Sequence, residues 1–174
     1  RGDAAGTAEL VAQQTPVLEW RFPAKPPQVR PEELDALRRE LSIPSAAPVV
    51  FYCGNFAAYQ GVDLLFAAAP LILDSRPDVF LVCVGAADQA ELEAGRRALA
   101  AAPAERIRLL PRQPRELIDR YVAMADVLVS PRSSLGNFPL KMFDYLAAGK
   151  PIVATDVPSH TCVLDGRLAL LCPP

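Results

Sequence analysis

An α/β domain, in which helices cover both faces of a parallel sheet, is the fold class this sequence predicts. Three observations predict it. Strand-like runs alternate with segments of helical period at a spacing of roughly 20–30 residues. The runs are nearly all apolar rather than alternating, which is the pattern of strands buried on two sides. Two of them close on a glycine, Gly54 and Gly85. With 174 residues, 51% hydrophobic and 22% charged, the chain is long and apolar enough for a real core, which excludes a disordered tail.

The elements follow in order. Pro16, Pro23, Pro26, Pro27 and Pro31 break up the first segment, so residues 17–22 are at most a short edge strand. Pro31 then opens a helix over 32–41, with acids in its first turn. Residues 42–48 form a loop. Residues 1–47 together read as a linker from another domain that docks back on the domain proper, 48–174. A strand over 48–53 leads to Gly54, and a helix over 61–76 follows, with a kink expected at Pro70. The second strand is 79–84, and Asp88 caps a helix over 89–102. Strand 106–110, helix 114–125, strand 126–130, helix 139–148 and strand 151–155 complete the alternation. A short turn or helix at 161–164 precedes a last strand, 168–172. The pattern is that of a Rossmann-like, doubly wound sheet. Such a domain normally adds a closing helix after a strand like the last one, so the sequence reads as part of a longer protein.

Several functions are excluded. A formal charge of −2 leaves no basic footprint for nucleic acid or acidic lipid. The longest apolar run, 64–73, is too short to span a membrane. Cys53, Cys83, Cys162 and Cys172 show neither metal nor redox spacing, and the single histidine, His160, cannot complete a usual zinc site. They read as structural thiols of a cytosolic protein. No Ser/His/Asp or Cys/His set assembles, and His160 reads as an ordinary loop residue.

In an open parallel sheet, ligands sit at the carboxyl ends of the strands. Three exit loops lie there. Gly54-Asn55-Phe56-Ala57-Ala58-Tyr59-Gln60-Gly61 runs into a helix N-terminus, which favours an anion, but it is neither a P-loop nor a dinucleotide fingerprint. Ser130-Pro131-Arg132-Ser133-Ser134-Leu135-Gly136-Asn137-Phe138-Pro139 joins a buried strand to a helix carrying Lys141 and Asp144. Those two residues are either an ordinary i,i+3 ion pair or a carboxylate offered to sugar hydroxyls beneath an anion site. The third loop is Pro111-Arg112-Gln113-Pro114.

Taken together, the segments resemble the donor-binding, C-terminal half of retaining GT-B glycosyltransferases of the glycosyl transferases group 1 family. The resemblance runs from about residue 48 to 174. Its strongest stretch is GNFPLKMFDYLAAGKPIVAT (136–155), supported by residues 50–65 and by YVAMADVLVS (121–130). It implies one half of a GT-B enzyme, with a nucleotide-diphosphate sugar held between two Rossmann-like domains. It puts Asp144 on the ribose hydroxyls, and the backbone of Gly136, Asn137, Phe138, Pro139 and Leu140 on the diphosphate, with Lys141 nearby. Arg112 would lie at the base, and Gly54, Asn55, Gln60 and Gly61 would face the phosphates.

The sequence also departs from the family. Its paired glutamates, eight positions apart, fall here on Gly136 and Asp144. Its basic residues after the first strand fall on Asn55 and Gln60. The resemblance implies a sugar transferase of bacterial glycan synthesis with no divalent metal and no other cofactor. The acceptor, a glycan or lipid-linked saccharide, would be bound by an N-terminal domain that also makes any contact with the inner face of the membrane. Two alternatives stand beside it: a degenerate module kept for binding or assembly, and another GT-B-type protein such as a sugar-nucleotide epimerase.

Overall fold

The computed structural model describes residues 26–133 and 138–174; the edge strand expected over 17–22 lies outside them. The elements are α1 (Pro31–Glu40), β1 (Val49–Cys53), α2 (Val62–Ser75), β2 (Phe80–Ala86), α3 (Gln89–Ala98), β3 (Ile107–Pro111), α4 (Arg115–Met124), β4 (Val127–Ser130), α5 (Lys141–Ala148), β5 (Ile152–Thr155), α6 (Pro158–Thr161) and β6 (Leu170–Cys172). Single 3-10 turns lie at Ala58–Gln60 and Ala104–Arg106.

The six strands form one parallel sheet in the order β3-β2-β1-β4-β5-β6. The predicted fold class is therefore the observed one. Successive strand residues point to opposite faces, and both faces are buried, which is why the strands carry no polar alternation. Phe51, Val82 and Leu128 enter a core with Leu37, Tyr121, Met142 and Tyr145. Their neighbours Tyr52, Cys83 and Val129 enter a second core with Leu65, Phe66 and Leu73. Phe51 stacks on Tyr121 with ring centroids 5.7 Å apart. Residues preceding β1 belong to the first core: Leu37 and Leu41 from the α1 region, and Ile43 and Ala47 from the loop, are all buried.

Several boundaries differ from the sequence expectation. Helix α3 stops at Ala98 instead of 102, and the chain turns so that Leu99 and Ala102 are both buried in the second core. Helix α5 starts at Lys141, because Pro139 and Leu140 form a tight turn in which Met142 N–H bonds the Pro139 carbonyl. The short helix expected at 161–164 is α6, started earlier by Pro158 at its first position. Helix α2 continues through Pro70, which forfeits one main-chain hydrogen bond. All four cysteines are free thiols. Among the described residues no helix is long and apolar enough to cross a membrane.

Candidate functional site

The strand order reverses between β1 and β4, and the carboxyl ends of the strands at such a reversal are where sheets of this kind usually form a ligand crevice. Two glycines hold the crevice to its shape. Gly61 has φ 66°, and a Cβ on it would lie 1.9 Å from the Pro131 carbonyl oxygen. Gly85, at φ 133°, passes so close to the β1 exit that a Cβ would lie 2.2 Å from the Gly54 carbonyl oxygen. The exits of β1, β2 and β4 are thus in backbone contact, and no side chain fits between them.

The β1 exit carries amides and an aromatic ring rather than charge. Tyr52 Oη donates to the Asn55 carbonyl (2.8 Å), and Asn55 Nδ2 donates to Tyr59 Oη (2.9 Å). Asn55 Oδ1 and Gln60 Oε1 are buried acceptors without a partner among the described residues. Such oxygens are costly unless a donor reaches them.

Lys141 and Asp144 do not pair with each other as an i,i+3 ion pair would require. Lys141 Nζ donates to the Cys53 carbonyl (2.9 Å), the last of β1, and lies 4.5 Å from the centre of the Tyr52 ring. Burial, opposed by Cys53 and reinforced by the Arg132 charge, pushes its ammonium down to about 8. Asp144 instead accepts a two-pronged ion pair from Arg115, at 2.7 and 2.5 Å. Arg115 heads α4, and the Asp144 carboxylate holds its guanidinium protonated more firmly than usual. The fork uses one lone pair on each carboxylate oxygen, which leaves the others to accept further donors.

The other expected residues lie around this mouth. Arg112 is exposed, its N–H on the Ala86 carbonyl (3.0 Å), and it lines a cavity of about 130 Å³ with Cys53, Gly54, Asn55 and Gly85. Phe138 packs on Phe143 (5.0 Å), Pro139 is buried and Leu140 is exposed. Pro139 has no N–H, so among the described residues of that turn only Phe138 and Leu140 carry main-chain amides. Gly136 and Asn137 lie outside the described residues.

Sequence reasoning missed three features. Arg115 is far from Asp144 in sequence, and no spacing rule connects them. Arg132 stood in the β4 exit loop without an assigned role; it is buried, with its guanidinium carbon 5.4 Å from the centre of the Tyr59 ring. His160 is on α6, wholly buried, and not an ordinary loop residue. Its Nδ1 donates to the Thr155 carbonyl (2.9 Å), so Nε2 is left to accept from Ser130 Oγ (2.9 Å). Burial lowers its proton affinity and keeps the ring neutral. Thr155 Oγ1 in turn donates to the Arg132 carbonyl. This network ties the ends of β4 and β5 to the loop that carries Arg132.

The domain is thus a doubly wound α/β sheet whose switch point is shaped by close glycine contacts and flanked by a cation and a carboxylate one turn apart on α5. Comparison with known proteins gives the family. Glycosyl transferases group 1 matches residues 47–174, and this chain belongs to that family. Among relatives, it is 33% identical over 143 residues to a D-inositol 3-phosphate glycosyltransferase of Corynebacterium urealyticum, covering 77% of this chain and 33% of that protein. It is 27% identical over 150 residues to a phosphatidyl-myo-inositol mannosyltransferase of Mycobacterium leprae, covering 85% and 39%. The chain thus spans about a third of the length of the curated relatives it matches. In structure it is similar to Anabaena Alr3699/HepE, solved with UDP and glucose, at TM-score 0.72 and 19% identity over 84% of this chain and 39% of that one. It is also similar to WaaG, a glycosyltransferase involved in lipopolysaccharide biosynthesis, at TM-score 0.68 and 19% identity over 87% and 40%. These likenesses establish the GT-B-type fold.

Proposed function

We propose that this chain is the donor-binding domain of a retaining glycosyltransferase. It holds a nucleotide-diphosphate sugar, while another part of the enzyme presents a glycan or lipid-linked acceptor on the cytoplasmic side. The observation that carries the reading is the pair on α5. Lys141 reaches the last carbonyl of β1, and Asp144 is steadied at the crevice by Arg115. The donor's ribose hydroxyls donate to the free lone pairs of Asp144, and the diphosphate takes amides of the Phe138–Leu140 turn. The unpartnered oxygens of Asn55 and Gln60 are acceptors for a ligand rich in hydroxyls. Transfer expels the nucleoside diphosphate, whose growing charge the amides and the ammonium stabilise in a site shielded from water. In this reading the reaction needs no divalent metal. Relatives named as glycosyltransferases and a neighbour solved with UDP and glucose support it.

The test is calorimetric binding of UDP, GDP and ADP to this chain and to Asp144→Ala. One nucleotide is expected to bind selectively. The variant should lose a charge-assisted bond of roughly 1.5–3 kcal/mol, about ten- to a hundredfold in affinity. Equal binding by the variant removes Asp144 from the ribose.

A second reading has one observation in its favour: the β1 exit offers neutral Asn55 and Gln60 to the phosphates. A degenerate module, kept for binding or assembly, would look the same there. Full-length protein that binds a sugar nucleotide yet neither transfers nor hydrolyses it would select this alternative.

A further inference from the structure

Among the described residues, Asp144 bonds one side chain, and it comes from another helix. Lys141, one turn away on α5, is turned to the Cys53 carbonyl, while Arg115 grips the carboxylate with one terminal nitrogen on each oxygen, at 2.7 and 2.5 Å. On its other side the guanidinium lies 3.4 Å from Asp119, one turn further along α4. It is thus set between two carboxylates, one on its own helix and one on α5.

The pair borders the cavity at the strand exits. Arg115 is the first residue of α4, directly after the Arg112 loop. Ile118, its neighbour one turn on, lines that cavity with Cys53, Gly54 and Arg112. The Cys53 thiol is pushed up chiefly by burial, and it also responds to the charges of Lys141, Asp144 and Arg115. All three therefore stand within electrostatic reach of the cavity wall.

The contact does little for stability, because both groups meet solvent and the ion pair is screened. Its effect is on orientation. The terminal torsion of an aspartate is broad, so a free carboxylate turns about it. Two parallel bonds to a flat guanidinium bring both groups into one plane and hold that torsion. The remaining lone pair on each oxygen then points in a fixed direction. A hydroxyl that meets a carboxylate already held binds at a smaller entropy cost than one that must order it.

We propose that Arg115 is a positioning residue for nucleoside recognition: it fixes the Asp144 carboxylate in the orientation that ribose hydroxyls require. The inference rests on the donor-site reading above and adds the residue that readies the carboxylate. It also joins the β3 exit to the ribose site, since the residue that orients Asp144 begins the helix behind the Arg112 loop.

The experiment is calorimetry of UDP, GDP and ADP, each beside its 2′,3′-dideoxy counterpart, on this chain and on Arg115→Gln, Arg115→Lys and Asp144→Ala. Wild-type protein is expected to prefer the ribonucleotide. Arg115→Gln should reduce that preference about three- to tenfold and leave dideoxynucleotide affinity unchanged. Arg115→Lys, which keeps the charge without the fork, should recover only part of it. Added to Asp144→Ala, Arg115→Gln should change nothing further, because its route to the ligand is gone. An undiminished preference in Arg115→Gln overturns the inference and leaves the donor-site reading standing. So does an equal loss for both nucleotide forms, which makes Arg115 a general charge or a structural brace. Wild-type protein that binds none of these nucleotides, or binds both forms equally, overturns the donor-site reading itself and the inference with it.

Discussion

The loops leaving β1 and β4 meet at the switch point of the sheet and differ in kind. The β1 exit has no charged side chain from Gly54 to Gly61 and contributes shape: a left-handed glycine, a short 3-10 turn and an aromatic-amide platform. The β4 exit and the helix after it contribute charge: Arg132, Lys141 and Asp144. In the donor-site reading, charge on one side and fit on the other would leave a ligand little freedom of orientation.

The sharpest way to break the comparison is to spoil the fit. Gly61→Ala drives a methyl group into the Pro131 carbonyl at a backbone angle that L-residues avoid. It should cost roughly 3 kcal/mol or more, read as a lowered urea midpoint. An unchanged midpoint would mean that the two loops are not in contact.

A second prediction concerns the charged wall. Burial and the neighbouring Arg132 lower Lys141 to about 8 from the ordinary 10.5, so folding disfavours its ammonium. The sign follows. This contribution to stability is fully present above the unfolded value and is lost as pH falls through about 8. A bound diphosphate favours the ammonium again, so binding should take up protons at about pH 8.5. Titrations in two buffers of different ionisation enthalpy would reveal the uptake, and Lys141→Met should abolish it. Proton uptake that survives in Lys141→Met assigns the titration to another group.

The smallest effect is expected at Arg115. Its side chain is 59% exposed, so Arg115→Ala should change stability by only about 0.5–1 kcal/mol, despite its short contacts with Asp144. Urea unfolding checks this, and a loss several times larger would make the pair a structural brace instead of a surface contact.

The fold was legible because strands buried on both faces leave an unbroken apolar record, and because glycines and prolines mark where each one stops. Helix ends were read less well: α3 and α5 are bounded by tertiary burial of Leu99 and by a turn at Pro139, which periodicity does not encode. In the site, Lys141 and Asp144 were legible as a helical pair with a motif around them. Their partners were not. Asp144 meets Arg115 and Lys141 meets the Cys53 carbonyl only after the sheet has brought distant segments together. His160 was hidden for the same reason, since its two partners come from the ends of β4 and β5. Arg132 was in view among small loop residues, and only its burial distinguishes it.

The strand order has a further consequence, for how the chain is made. β1 lies in the middle of the sheet, and its second neighbour, β4, starts at Val127, long after Cys53 has left the ribosome. During that interval β1, β2 and β3 have already been synthesised, while one edge of β1 stays open to other chains. The nascent polypeptide is therefore most prone to aggregate before residues 127–130 emerge. Slowing translation just upstream of them should lower the soluble yield, whereas the same pause placed after β4 should have little effect.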